Sequence, residues 1–259
     1  MRLWHEVAGD GPPVVLVHEG ICDARMWDPQ WSSFPPAHRT VRLDLRGFGR
    51  SPIPPEPFSH AADVAELLDR LELGPAAIVG VSAGGLVALD LALARPDLVS
   101  ALVLVGSALD EHEWSDEMES FDEAEEAALE RGDLDLAVEL NLRMWVDGPH
   151  RDPGEVDPAL RGRVAEMQRR AFELQLAAGD AAEDELLSGG VAGRLGEVAV
   201  PALVIVGELD LDDMQAIAAR LEDEIPGADA ARIDATAHVP SMERPQQFDR
   251  LVLGFLARL

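Results

Sequence analysis

The chain has 259 residues, is 47% hydrophobic and carries a formal net charge of −28 at pH 7. That length and apolar content suit one large core, or one core with an insertion. No stretch reaches the roughly 20 apolar residues needed to span a bilayer, and so acidic a surface repels nucleic acid and anionic membranes.

Residues 1–7 contain no apolar run of the secretory kind, so a cytoplasmic location is expected. Residues 3–8 read as an antiparallel edge strand, and 13–18 as a buried one. Cys22 is the sole cysteine, which excludes an internal disulfide and a multi-cysteine metal site. It reads as a small buried residue. Strands at 40–44, 78–81, 102–105, 202–206 and 231–234 follow, with a short rigid proline-rich loop at 52–57. Between them lie helical patterns. Residues 62–71 place Val64, Leu67, Leu68 and Leu71 on one face, and 86–95 are apolar nearly all round. Asp212 is placed to cap a helix carrying Met214, Ile217 and Leu221, and Phe248, Leu251, Val252 and Phe255 mark a last one. From 109 to 188 no strand is expected, only helices at 120–130, 133–145 and 158–176. The last opens with Asp157-Pro158, a capping acid followed by proline at the first helical position.

Alternating strands and helices predict an α/β fold: a mostly parallel twisted sheet of about seven or eight strands flanked by helices. A helical cap is inserted after the strand that ends near Val105. The expected division is a core of 1–107 and 192–259 with a cap of 108–191.

The most informative run is Gly80-Val81-Ser82-Ala83-Gly84. It follows a strand and opens a helix, so Ser82 is pushed outward on a tight bend, and a Cβ at the flanking glycines would clash with strand and helix. Three other motifs accompany it. Val15-Leu16-Val17-His18-Glu19-Gly20 has Trp27 nine positions after His18. Asp44-Leu45-Arg46-Gly47-Phe48-Gly49-Arg50-Ser51 is a glycine-rich turn. Val206-Gly207-Glu208-Leu209-Asp210 and Ala237-His238-Val239-Pro240 supply an acid and a base. Together these resemble the α/β-hydrolase superfamily over essentially the whole length, in its chain order Ser, Asp, His.

The resemblance implies a serine hydrolase that cleaves a small neutral or weakly polar carboxylic ester or lactone through an acyl-enzyme. Ser82 would be the nucleophile, His238 the base and Asp210 its orienting acid. The backbone N–H groups of Gly20 and Ala83 would form the oxyanion hole. No metal or organic cofactor is implied, and the partner is the small substrate alone. The same triad serves carbon–carbon bond hydrolases and perhydrolases, and a non-catalytic ligand binder on this fold is the other alternative. A ring-cleavage substrate, rich in carboxylates, would want an arginine such as Arg143 near the site. Serine at position 82 argues against the aspartate-dependent dehalogenases and epoxide hydrolases.

Asp210 competes with Glu208, Asp212 and Asp213 in its loop. His18 and the Asp44–Arg46 stretch read as structural. Ile21, Trp27, Met144 and Trp145 are the expected substrate contacts, with Met167 and Phe172 as further candidates. Glu19 departs from the superfamily's usual glycine. A carboxylate aimed at the oxyanion would oppose its charge, so Glu19 is expected to point away or to pair with Arg25 or Arg46. Residues 110–135 hold thirteen acids and one arginine, Arg131, which read as a solvated helical face. All 21 basic residues are arginine. That bias fits either GC-rich coding or adaptation to high salt, where screening relieves self-repulsion.

Overall fold

A computed structural model describes residues 2–53, 56–179 and 184–259. Residues 54 and 55 of the proline-rich loop lie outside that set. Seven strands form one sheet: β1 (His5–Ala8), β2 (Pro13–Val17), β3 (Arg39–Leu43), β4 (Ala76–Val81), β5 (Val99–Val105), β6 (Ala202–Gly207) and β7 (Asp229–Ile233). Their spatial order is β1-β3-β2-β4-β5-β6-β7. Only the edge strand β1 runs antiparallel, paired His5 to Leu43 through Ala8 to Thr40. The rest are parallel, which is why β4 and β6 are buried along their whole length and read as unbroken apolar runs.

The helices are α1 (Gln30–Ser33), α2 (His60–Leu71), α3 (Ala83–Ala94), α4 (Asp116–Glu130), α5 (Leu134–Asn141), α6 (Pro158–Ala178), α7 (Asp212–Glu224), α8 (Pro240–Glu243) and α9 (Pro245–Leu256). Side chains alternate across each strand, so the core has two layers. On one face Ile78, Leu102 and Leu104 pack with Leu67 and Leu68 of α2, Leu89 of α3 and Ile217 of α7. On the other, Val79, Val103 and Ile205 pack with Trp27, Phe34 and Phe248. Each such fully buried side chain contributes about 1.5–3 kcal/mol. The acid expected to cap α7 is instead its first helical residue. Leu211 occupies the cap position without a side-chain bond, and Asp212 still sits at the positive helix end.

Between β5 and β6 the described residues form helices and no named strand. Ser115 caps α4 through the Met118 amide, and Asp157 caps α6 through the Ala159 amide with Pro158 in the first turn. After α5 the helix widens into a π-turn over Leu142–Asp147. The order in which strands are added reverses beside β2: β3 lies on one side and β4 on the other. The crevice at the carboxyl ends of β2 and β4 is therefore the switch point where open α/β sheets bind ligands. Among the described residues, no helix is long and apolar enough to cross a membrane.

Candidate active site

Ser82 follows β4 directly. Its backbone sits at φ 52°, ψ −118°, a region L residues rarely occupy, and its N–H donates to the Val105 carbonyl at 2.9 Å. The bend is tight because helix and strand nearly touch. A Cβ on Gly80 would lie 2.1 Å from the Gly84 carbonyl oxygen, and one on Gly84 2.5 Å from that of His18. The strain at Ser82 thus follows from close helix–strand packing that only glycines permit. Ala83 opens α3, where first-turn amides have no intrahelical acceptor and point toward solvent or a ligand.

His238 lies after β7 and Asp210 after β6. The imidazole Nδ1 is 2.9 Å from Asp210 Oδ2 and 3.2 Å from Oδ1. An ionised carboxylate only accepts, so Nδ1 carries the proton and Nε2 is left as a base. Burial alone would lower the His238 pKa, but the charge of Asp210, its hydrogen bond and Glu19 together raise it. Nε2 is buried and has no hydrogen-bond partner. The competing acids serve elsewhere: Asp213 binds His112 and Ser115, and Glu208 accepts from the Ala235 amide.

Ser82 and His238 border one cavity of about 230 Å³, together with Glu19, Gly20 and Ile21 from the loop after β2. Its other wall comes from the inserted helices: Phe121 and Glu125 of α4, Asn141 and Trp145, and Gln168 and Phe172 of α6. The Trp145 ring lies tilted against His238 with centroids 4.6 Å apart, and its carbonyl accepts the His238 amide at 3.3 Å.

Two expected contacts are absent from this cavity. Trp27 is 0% exposed and sits in the core, 6.2 Å from the Phe248 ring. Met144 borders a separate hollow with Arg143, and Met167 is core. Ile21, Trp145 and Phe172 do line the cavity. Phe121, Glu125, Asn141 and Gln168 were not anticipated. Their signal is spacing: 121 with 125, 141 with 145, and 168 with 172 are each one helical turn apart. Gln168 also interrupts the apolar stripe of Val164, Met167 and Ala171.

The expectation for Glu19 is overturned. Its carboxylate neither points away nor meets an arginine. Arg25 is held by Asp23 and Arg46 by Asp63. Instead a turn returns the Cys22 amide to the Glu19 carbonyl at 3.3 Å, and Cys22 Sγ donates to Glu19 Oε1 at 3.0 Å. Cys22 is therefore more than a small filler. Glu19 is 1% exposed and its Oε2 is unpartnered, 3.8 Å from His238 Nε2. Burial, eased by His238 and Cys22 and reinforced by Asp210, pushes its pKa up to about 7. A carboxyl held largely protonated below neutrality does not oppose an oxyanion as a fixed charge would.

His18 and the glycine-rich turn are structural, as expected. His18 Nδ1 donates to the Glu19 carbonyl at 2.7 Å, and its Nε2 accepts the Leu45 amide at 2.9 Å. Asp44 accepts from the Ala24 and Arg50 amides, each at 2.9 Å.

A family model described as alpha/beta hydrolase fold matches residues 12–245. A pimeloyl-[acyl-carrier protein] methyl ester esterase of Nitrosospira multiformis is 28% identical, with 98% of each chain covered. A putative carbamate hydrolase RutD of Rhizobium rhizogenes is 30% identical over 89% of this chain and 87% of its own. The crystal structure of the enol-lactonase from Burkholderia xenovorans LB400 superposes with a TM-score of 0.80 at 25% identity, covering 98% of this chain and 96% of that one. With a strand-end serine, a histidine–acid pair and a sheet of this order already in place, the chain belongs to the alpha/beta hydrolase fold family and is a hydrolase.

Proposed function

We propose that the protein is a serine hydrolase that cleaves a small carboxylic ester or lactone through an acyl-enzyme. Ser82 is its nucleophile, His238 its base and Asp210 the acid that orients the base. One observation carries this reading. His238 is fixed by Asp210 through Nδ1, and its free Nε2 faces the cavity that Ser82 borders. Nε2 has no hydrogen bond to Ser82 Oγ in the structure, and such catalytic contacts tighten once substrate is bound.

In the forward step Ser82 Oγ bonds to the carbonyl carbon while its proton passes to His238 Nε2. The backbone amides of Gly20 and Ala83 donate to the oxyanion, and each is worth on the order of a hundredfold in rate. Collapse breaks the bond to the leaving oxygen, which takes the proton from Nε2. Water then repeats the sequence on the acyl-enzyme and restores Ser82. Residues 108–191 act as a cap that sets specificity, and 1–107 with 192–259 as the catalytic core.

Carbon–carbon bond cleavage with carboxylate-rich substrates fits less well. Arg143, the arginine best placed in the sequence, pairs with Asp147 at 3.4 Å and faces another hollow. No arginine is among the residues that border the cavity.

A fluorophosphonate probe tests the proposal. A single adduct on Ser82, absent in Ser82→Ala, is expected. A folded protein that refuses the probe yet binds small ligands would make this a receptor instead.

A further inference from the structure

The cavity presents two carboxyl groups from opposite walls, Glu19 and Glu125. Glu19 Oε2 and Gln168 Oε1 are buried without a partner, at 1% and 4% residue exposure. Glu125 is half-buried. Burial raises its pKa, Asn141 Nδ2 donates to it and lowers it, and nearby Asp122 raises it again. Among the residues that line the cavity neither carboxyl meets a basic side chain other than His238, so a cation entering it finds uncompensated acceptors.

Three aromatic side chains, Phe121, Trp145 and Phe172, also line the wall, beside the amides of Asn141, Gln168 and Gln175. Ring faces carry negative partial charge and attract an ammonium group, most strongly where water is excluded. Two carboxyl groups and three aromatic side chains, without a basic side chain other than His238, suit a positively charged guest better than a carboxylate. The net charge of −28 adds a long-range field that concentrates cations at the surface.

We propose that the substrate is an ester bearing a positively charged ammonium group, seated between Glu19, Glu125 and the rings of Phe121, Trp145 and Phe172. This rests on the serine hydrolase reading and narrows it. The neutral or weakly polar substrate expected from the sequence becomes a cationic one.

The test compares acetylcholine with 3,3-dimethylbutyl acetate, which differ only by a charged nitrogen in place of a carbon. At low ionic strength kcat/KM is expected to be at least about tenfold higher for the cationic ester. The ratio falls toward one in Glu125→Gln and in molar salt. Equal or faster turnover of the neutral ester, or a ratio unmoved by Glu125→Gln, overturns the proposal. If neither ester is cleaved, calorimetry with tetramethylammonium on Ser82→Ala decides. Binding that weakens in the added Glu125→Gln variant upholds the cation site even where the hydrolase reading fails. No binding overturns it.

Discussion

On the sheet side of the cavity, polar groups are held from behind. Asp210 fixes His238, the Val105 carbonyl holds the Ser82 amide, and the Glu19 carbonyl is tied to His18. On the helical side, Gln168 Oε1 has no partner and Glu125 leans on the single amide of Asn141. Backbone geometry at strand ends fixes the first set, whereas amphipathic helix faces only aim the second. The sheet side is the more preorganised, while unpartnered polar atoms remain on both walls, His238 Nε2 and Glu19 Oε2 on one and Gln168 Oε1 on the other.

Three changes sharpen or break that contrast. The largest effect falls on the sheet side. Asp210→Asn leaves the fold intact but favours the wrong tautomer of His238, so kcat should drop on the order of 10⁴-fold. A fall of less than tenfold would mean that Asp210 does not orient the base.

Glu19→Gln comes next. A carboxyl held at about 7 in the fold, against 4.5 for the free group, makes the folded state bind protons more tightly. Stability therefore falls as pH rises from about 4.5 to 7, by up to about 3 kcal/mol. The raised pKa of His238 acts in the same direction, its stabilisation being lost as pH rises through the folded value. Denaturant melts at pH 5 and pH 8 should show a flatter dependence in the variant. On the proposed mechanism His238 must be neutral, and the groups that raise its pKa are Asp210 and Glu19; Cys22 bonds Glu19 from behind, and Glu125 lines the same cavity. Removing the Glu19 charge should move the acid limb of kcat/KM to lower pH. An unmoved limb would separate Glu19 from His238.

The smallest effect is expected at Arg143, half-exposed and paired only loosely with Asp147. Arg143→Ala should change stability by no more than about 0.5 kcal/mol and leave ester hydrolysis unchanged. A selective loss on carboxylate-bearing substrates would revive the carbon–carbon cleavage alternative.

The same contrast explains what the sequence disclosed. The positions of Ser82 and Asp210 were legible because each follows an apolar strand run, β4 or β6, whereas His238 follows the mostly exposed β7 and was read from its motif and chain order. Met144 and Trp145 are neighbours on one helix, and only Trp145 meets the cavity. The π-turn over Leu142–Asp147 shifts the helical phase, which a 3.6-residue period does not reveal. Trp27 lies in the motif next to the oxyanion loop, but core and pocket both demand a large apolar side chain there. Glu19 was misjudged because its direction depends on a four-residue turn closed by Cys22.

His18 has one more consequence. Burial pushes its pKa down, with the Glu19 carbonyl, Asp44 and Asp23 pulling the other way. A second proton would also set Nε2–H against the Leu45 N–H, two donors face to face. On the proposed mechanism, acid protonates His238, whose pKa is raised, before it frees the Glu19 loop from His18, whose pKa is lowered. A titration of activity is then expected to read proton occupancy at His238 rather than the slackening of the loop after β2.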